Sequence, residues 1–105
     1  MITRIWHGQT KTNDAATYRE YVIATGMKGY TTTKGNKGAQ IWQRQNGDIT
    51  DIWTVSWWDD IESIRSFAGE NIEVAKYYDE DKKYLLSFEP HVLHCETFSF
   101  SPVSP

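Results

Sequence analysis

Residues 39–58 limit the possible folds of this chain more than any other stretch. Two alternating runs, 39–45 and 48–58, flank Asn46-Gly47, and Asn-Gly between alternating runs is a strong short signal for a β-hairpin. A two-residue turn at 46–47 sets Trp42 opposite Asp51, Ile41 opposite Ile52 and Gln40 opposite Trp53. One face then carries Trp42, Trp53, Val55 and Trp57, and the other carries Ile41, Ile52, Thr54 and Trp58. An antiparallel sheet with one wet side shows polar residues on that side. Neither parity does so here, and both faces call for cover. A three-residue loop would exchange the two sets, so which face meets the rest of the protein stays open.

The flanking sequence supplies the remaining elements. Residues 2–9 alternate, with Ile2, Arg4 and Trp6 on one parity and Thr3, Ile5 and His7 on the other, which predicts a strand. Asn13 and Asp14 offer caps for a helix over 14–26, with Gly26 and Gly29 as its stop. The glycine- and lysine-bearing stretch 29–38 lacks GxxxxGK[ST] spacing, and it reads as a structural connection. Asp59 and Asp60 cap a second helix that presents Ile61, Ile64, Phe67 and Ala68 and stops at Gly69. Two short helical turns are expected within 71–88, the second holding Tyr84, Leu85, Leu86 and Phe88, and residues 91–98 alternate again as a last strand. The prolines and small polar residues of 99–105 predict a flexible tail after a single domain over 1–98.

The order strand–helix–strand–strand–helix–strand predicts an α+β, ferredoxin-like βαββαβ fold with a four-stranded antiparallel sheet and both helices on one face. The helices leave the second sheet face uncovered. A second copy of the same sheet is the simplest cover, so a homodimer is expected. With 105 residues, net charge −3 and a single cysteine, Cys95, the chain has no internal disulfide and no multi-cysteine metal site. Mild acidity without a basic stripe argues against nucleic acid. The absence of a long apolar run or a basic-then-apolar leader predicts a cytoplasmic protein without membrane association.

The stretch Ser56-Trp57-Trp58-Asp59-Asp60-Ile61-Glu62-Ser63-Ile64-Arg65-Ser66-Phe67-Ala68-Gly69, with the element order and Leu85-Leu86-Ser87-Phe88-Glu89-Pro90-His91-Val92-Leu93-His94-Cys95-Glu96, resembles the antibiotic-biosynthesis-monooxygenase-like family. The resemblance spans about residues 2–98 and implies a dimeric α+β barrel in which two ferredoxin-like sheets face one another. Members include cofactor-independent monooxygenases of anthrone- or quinol-like aromatics, haem-degrading enzymes and proteins without known activity, so fold alone does not settle chemistry. The haem-degrading pattern calls for a strand-one Asn, a Trp ending the second helix and a His about ten residues later. This chain offers Trp6 and His7, then Phe67, then Tyr77 at those places. That departure disfavours haem degradation, and no cofactor is expected.

Cofactor-free oxygenation needs a base that forms a substrate anion and a dry pocket for a flat ring. The candidate bases are His7 and His94, with Tyr84 as the orienting group. Arg4, Trp6, Trp53, Trp57, Phe67 and Tyr77 are candidates for substrate binding. Each has a plainer reading: the tryptophans as sheet and dimer core, the histidines as satisfied strand residues, and Arg4 as a cation over tryptophan or a partner of Glu96. Cys95 is expected to be a buried small hydrophobe, and the acidic run 79–81 a solvated surface. Two functions remain, a cofactor-independent monooxygenase of small hydroxylated aromatics and a non-catalytic homodimer that binds a small ligand. A histidine and a tyrosine converging on one cavity would separate them.

Overall fold

The computed structural model describes residues 1–99 and 101. It is an α+β fold built on a four-stranded antiparallel sheet. The strands are β1 (Ile2–Lys11), β2 (Asn36–Asn46), β3 (Ile49–Trp58) and β4 (Leu93–Glu96), in the spatial order β2-β3-β1-β4. That order is the one a βαββαβ chain reaches when right-handed crossovers stack its helices on one face. Of the expected tail, Ser99 and Ser101 carry no regular structure, and the other positions lie outside the described residues.

The expected division of side chains between the two faces holds. Arg4, Trp6, Gly8 and Thr10 of β1 and Thr50, Ile52, Thr54, Ser56 and Trp58 of β3 are buried on the helix side. The hairpin register differs from expectation by two residues. Trp42 pairs with Trp53 and Ile41 with Thr54, because the two turn residues are Gly47 and Asp48. A two-residue slip preserves every side chain's face, so the tryptophan set survives the correction.

The first helical run is longer than its glycines suggested. A 3₁₀ turn at Thr12–Asp14 leads into α1 (Ala15–Val22), a π-helical turn at Ile23–Met27 and α2 (Lys28–Thr32). Neither Gly26 nor Gly29 stops it. The chain leaves the helix at Thr33, whose backbone is extended. A Cβ at Gly29 would stand 3.0 Å from the Phe67 ring, so that glycine serves close packing. The second helix, α3 (Ile61–Ala68), follows expectation: the Asp60 side chain accepts from Ser63 N at 2.8 Å, and Ile64 and Phe67 are buried.

Residues 69–92 depart most from the sequence reading. They hold one 3₁₀ turn, Asp81–Lys83, which precedes Tyr84 instead of containing it. The last strand is four residues long, not eight. The outer edge of β1 is therefore covered in two pieces, by β4 beside Ile2–Ile5 and by a bridge from Leu85 to Thr10. The Leu86 amide also donates to the Gln9 carbonyl at 2.9 Å.

The interior is two apolar clusters. One joins Trp6, Tyr18, Val22, Ile52, Leu85 and Val92, and the other joins Tyr30, Trp58, Ile64 and Phe67. Between them runs a buried polar row in which Thr54 Oγ1 meets the Tyr30 hydroxyl at 2.9 Å and Ser56 Oγ accepts from Trp58 Nε1 at 2.8 Å. These pairings satisfy polar groups that would otherwise cost about 1–3 kcal/mol each. Gly8 leaves space for the Trp6 indole, which a Cβ there would meet at 2.5 Å.

Two glycine substitutions test this packing in opposite directions. Gly35 has φ +94° and faces Ser63 Oγ, which an added Cβ would approach to 2.0 Å. Gly35→Ala is expected to lower stability by about 2–4 kcal/mol through combined strain and overpacking. Gly26 lies in a helical turn with open space beyond it, and Gly26→Ala is expected to raise stability by about 0.5–1 kcal/mol. Urea unfolding of the two variants measures both.

Candidate functional site

The candidate residues separate onto the two sides of the sheet. Arg4, Trp6 and His94 face the helices, where Phe67, Tyr77 and Tyr84 also pack, whereas His7, Trp53 and Trp57 lie on the open face. His7 and His94 therefore do not meet. Tyr84 stands beside Thr10, whose hydroxyl donates to the Tyr84 carbonyl at 3.0 Å, while His94 pairs with Arg4. Six strand residues separate those positions, about 20 Å. Neither histidine converges with Tyr84.

Two carboxylates hold His7. Nε2 lies 2.7 Å from Asp51 Oδ1, Nδ1 is paired with Glu89 Oε2, and the ring tilts against Trp53 with centroids 5.1 Å apart. Gln9 also donates to Asp51 Oδ1 at 3.0 Å. An imidazole donates from both nitrogens only when protonated. Desolvation pulls the His7 pKa down, but the hydrogen bonds and charges of Asp51 and Glu89 outweigh it and the net shift is upward. The same contacts hold the Asp51 carboxyl below its usual range. Neither Asp51 nor Glu89 is among the site residues that the sequence singles out. An aspartate on the tryptophan parity of β3 was a legible signal, but nothing local marked Glu89.

His94 is the opposite case. Arg4 Nη1 donates to its Nε2 at 3.0 Å, which leaves the proton on Nδ1, facing Glu73 Oε1 at 3.5 Å. Burial, then the Arg4 charge, lowers its pKa. Arg4 is only 2% exposed and does not pair with Glu96, contrary to the plainer expectation. It donates instead to the carbonyls of Ile72 at 2.6 Å and Val74 at 3.4 Å, and its guanidinium carbon lies 5.8 Å from the Phe67 ring centroid. Its Nε has no partner among the described residues.

Trp6 Nε1 donates to the Tyr77 hydroxyl at 3.2 Å, and that hydroxyl donates to the Glu89 carbonyl at 2.6 Å. Glu89 thus joins the two faces: its carbonyl takes Tyr77 on the helix side, and its carboxylate takes His7 on the open side. Phe67 is packed against Tyr30 and Trp58. The Asp81 carboxylate, expected in solvent, is buried: Oδ1 accepts from the Tyr18 hydroxyl at 2.9 Å and Oδ2 from the Tyr78 amide at 2.5 Å. Cys95 is exposed, not buried.

A cavity of about 30 Å³ remains between sheet and helices, with Trp6, Tyr18, Tyr30, Tyr77 and Tyr78 as aromatic walls. Thr54, Lys76 and Asp81 supply polar groups, and no histidine lines it. It has room for one or two waters. The described residues do not fit a haem, since the space is small and the Tyr77 oxygen is engaged by Glu89. Among the described residues, no cluster of three or more metal-ligating side chains forms. No protein-family model matches the sequence, and no curated protein matches it significantly.

The two histidines oppose one another in pH dependence. His7 is raised in the folded state, so its stabilisation is complete below the unfolded value near 6.5 and is lost as pH rises through its folded pKa. His94 is lowered, so stability falls as pH drops through 6.5 toward its folded pKa. His7→Gln is expected to remove the decline in melting temperature above pH 6.5, and His94→Gln the decline below it. Thermal melts from pH 5 to 9 check both.

Proposed function

We propose that this chain is a homodimeric small-ligand-binding domain that takes flat hydroxylated aromatics between its sheet and helices. The observation that supports it best is the cavity, walled by five aromatic side chains with a lysine amine, a phenol and a threonine hydroxyl among them. Few well-placed polar groups in an aromatic enclosure is the usual chemistry of a small-molecule site. Its outer wall belongs to residues 69–92, a long segment with little regular structure, and such segments in compact domains are most often functional coverings. The space is about 30 Å³, so admission of a ring requires outward displacement of Lys76, Tyr77 and Tyr78.

The binding reading is preferred to a cofactor-independent monooxygenase because of the histidines. A general base needs a free basic nitrogen within reach of the substrate proton. Both nitrogens of His7 face carboxylates, and the acceptor nitrogen of His94 is taken by Arg4. Neither lines the cavity. The resemblance to the antibiotic-biosynthesis-monooxygenase-like family is compatible with either function.

Dimerisation rests on the open face. Trp42 is 47% exposed and Leu93 57%, with the half-buried Ile5 and Trp53 beside them. Three strands of ten or eleven residues and one of four, about 4.8 Å apart, present roughly 550 Å², somewhat below the ~800 Å² each partner contributes to a standard interface. A two-fold axis lets one self-complementary patch cover both copies.

Sedimentation equilibrium at micromolar concentration is expected to give a dimer, and Trp42→Glu combined with Leu93→Lys to give a monomer with unchanged circular dichroism. A monomeric parent protein removes the dimer from this proposal. Titration with a naphthol or quinol is expected to quench tryptophan fluorescence saturably without oxygen uptake. Oxygen consumption abolished by His7→Gln or His94→Gln would instead establish the monooxygenase.

A further inference from the structure

A charged cluster lies inside the apolar patch of the open face. Trp42 pairs with Trp53 and Trp53 with His7, so the three form one row across β2, β3 and β1. The next row on that face runs through Val55 and Ile5 to Leu93 on β4. A second copy seated on both Trp42 and Leu93 therefore also covers His7. In the single chain the cluster still meets water, with the side chains of His7, Asp51 and Glu89 28%, 20% and 44% exposed.

The charge of the cluster depends on one proton. Asp51 on β3 and Glu89 from the segment before β4 face opposite nitrogens of the ring. Gln9 adds a hydrogen bond to Asp51, and Arg44, opposite Asp51 on β2, acts on it at longer range. With His7 protonated, each carboxylate accepts an N–H, and His7, Asp51 and Glu89 sum to one negative charge. With His7 neutral, one carboxylate faces a lone pair, and the sum is two. Burial lowers the His7 pKa, but the two carboxylates outweigh it and the net direction is upward. Taking charged groups out of water is costly unless they are paired, and like charges repel more strongly as water leaves. An interface over this face thus accommodates the compensated cluster and opposes the uncompensated one. Resting on the open-face dimer proposed above, we infer that two copies associate with His7 protonated and separate when it loses its proton, which makes the dimer a pH-sensitive assembly.

Sedimentation equilibrium of the full chain at pH 6, 7.5 and 9 in reducing buffer tests this. The dissociation constant is expected to rise about 10–100-fold across that range, as up to one proton leaves each copy. His7→Gln keeps both carboxylates without the cation, and it is expected to show at pH 6 the weak association of the parent at pH 9, with no further change. Glu89→Gln is expected to move the rise to lower pH, because one of the two charges that hold the proton is gone. A parent dimer of constant affinity from pH 6 to pH 9, or a pH dependence retained in His7→Gln, overturns the inference and leaves the dimer standing. A parent that is monomeric throughout overturns both. If His7→Gln does not fold by circular dichroism, the direction of the parent's pH dependence and its displacement in Glu89→Gln still decide.

Discussion

A guanidinium held inside the sheet–helix layer organises this protein. Arg4 projects from the third position of β1 into the interior, where an ionised group without partners is costly by many kcal/mol. Its hydrogen bonds go to the carbonyls of Ile72 and Val74 and to His94. Those residues belong to the irregular segment after α3 and to β4. Satisfying one charge therefore turns that segment's backbone inward and sets the acceptor state of His94. It also positions the Lys76 stretch over the cavity, since Val74 bridges His91 and Lys76 follows two residues later.

The sheet then separates two electrostatic environments by a single strand's alternation. On the helix side a histidine beside a guanidinium has its neutral form favoured. On the open side a histidine between two carboxylates has its protonated form favoured. Successive strand residues point to opposite faces, so His7 and its neighbour Trp6 belong to different sites, although adjacent in sequence. Glu89 is the exception, because its carbonyl and carboxylate reach different faces around the edge of β1.

That edge is available because β4 is short. A full-length fourth strand would pair with β1 past Ile5, leaving no gap through which Glu89 reaches His7. The bridge from Leu85 to Thr10 resumes the edge beyond the gap. The candidate cavity and the open face are thus joined through one residue in a stretch that local periodicity does not describe.

Periodicity and capping determined the element order, the α+β class, the two side-chain sets of the hairpin and the start and stop of α3. Each depends on neighbours within a turn or a strand: Asp60 with Ser63, Ile64 with Phe67, Ile52 with Thr54. The tertiary structure alone decided the rest. Gly26 and Gly29 are helical, and Gly29 packs against Phe67 from a distant helix, an advantage that outweighs a glycine's cost of about 1 kcal/mol. The hairpin moved by two residues without changing faces, which alternation cannot detect. The pairs Arg4–Ile72, Arg4–His94, His7–Asp51, His7–Glu89 and Tyr18–Asp81 join residues between 44 and 90 positions apart in sequence. Long-range pairings of that kind are set by satisfying buried charge in three dimensions, and a local pattern carries no record of them.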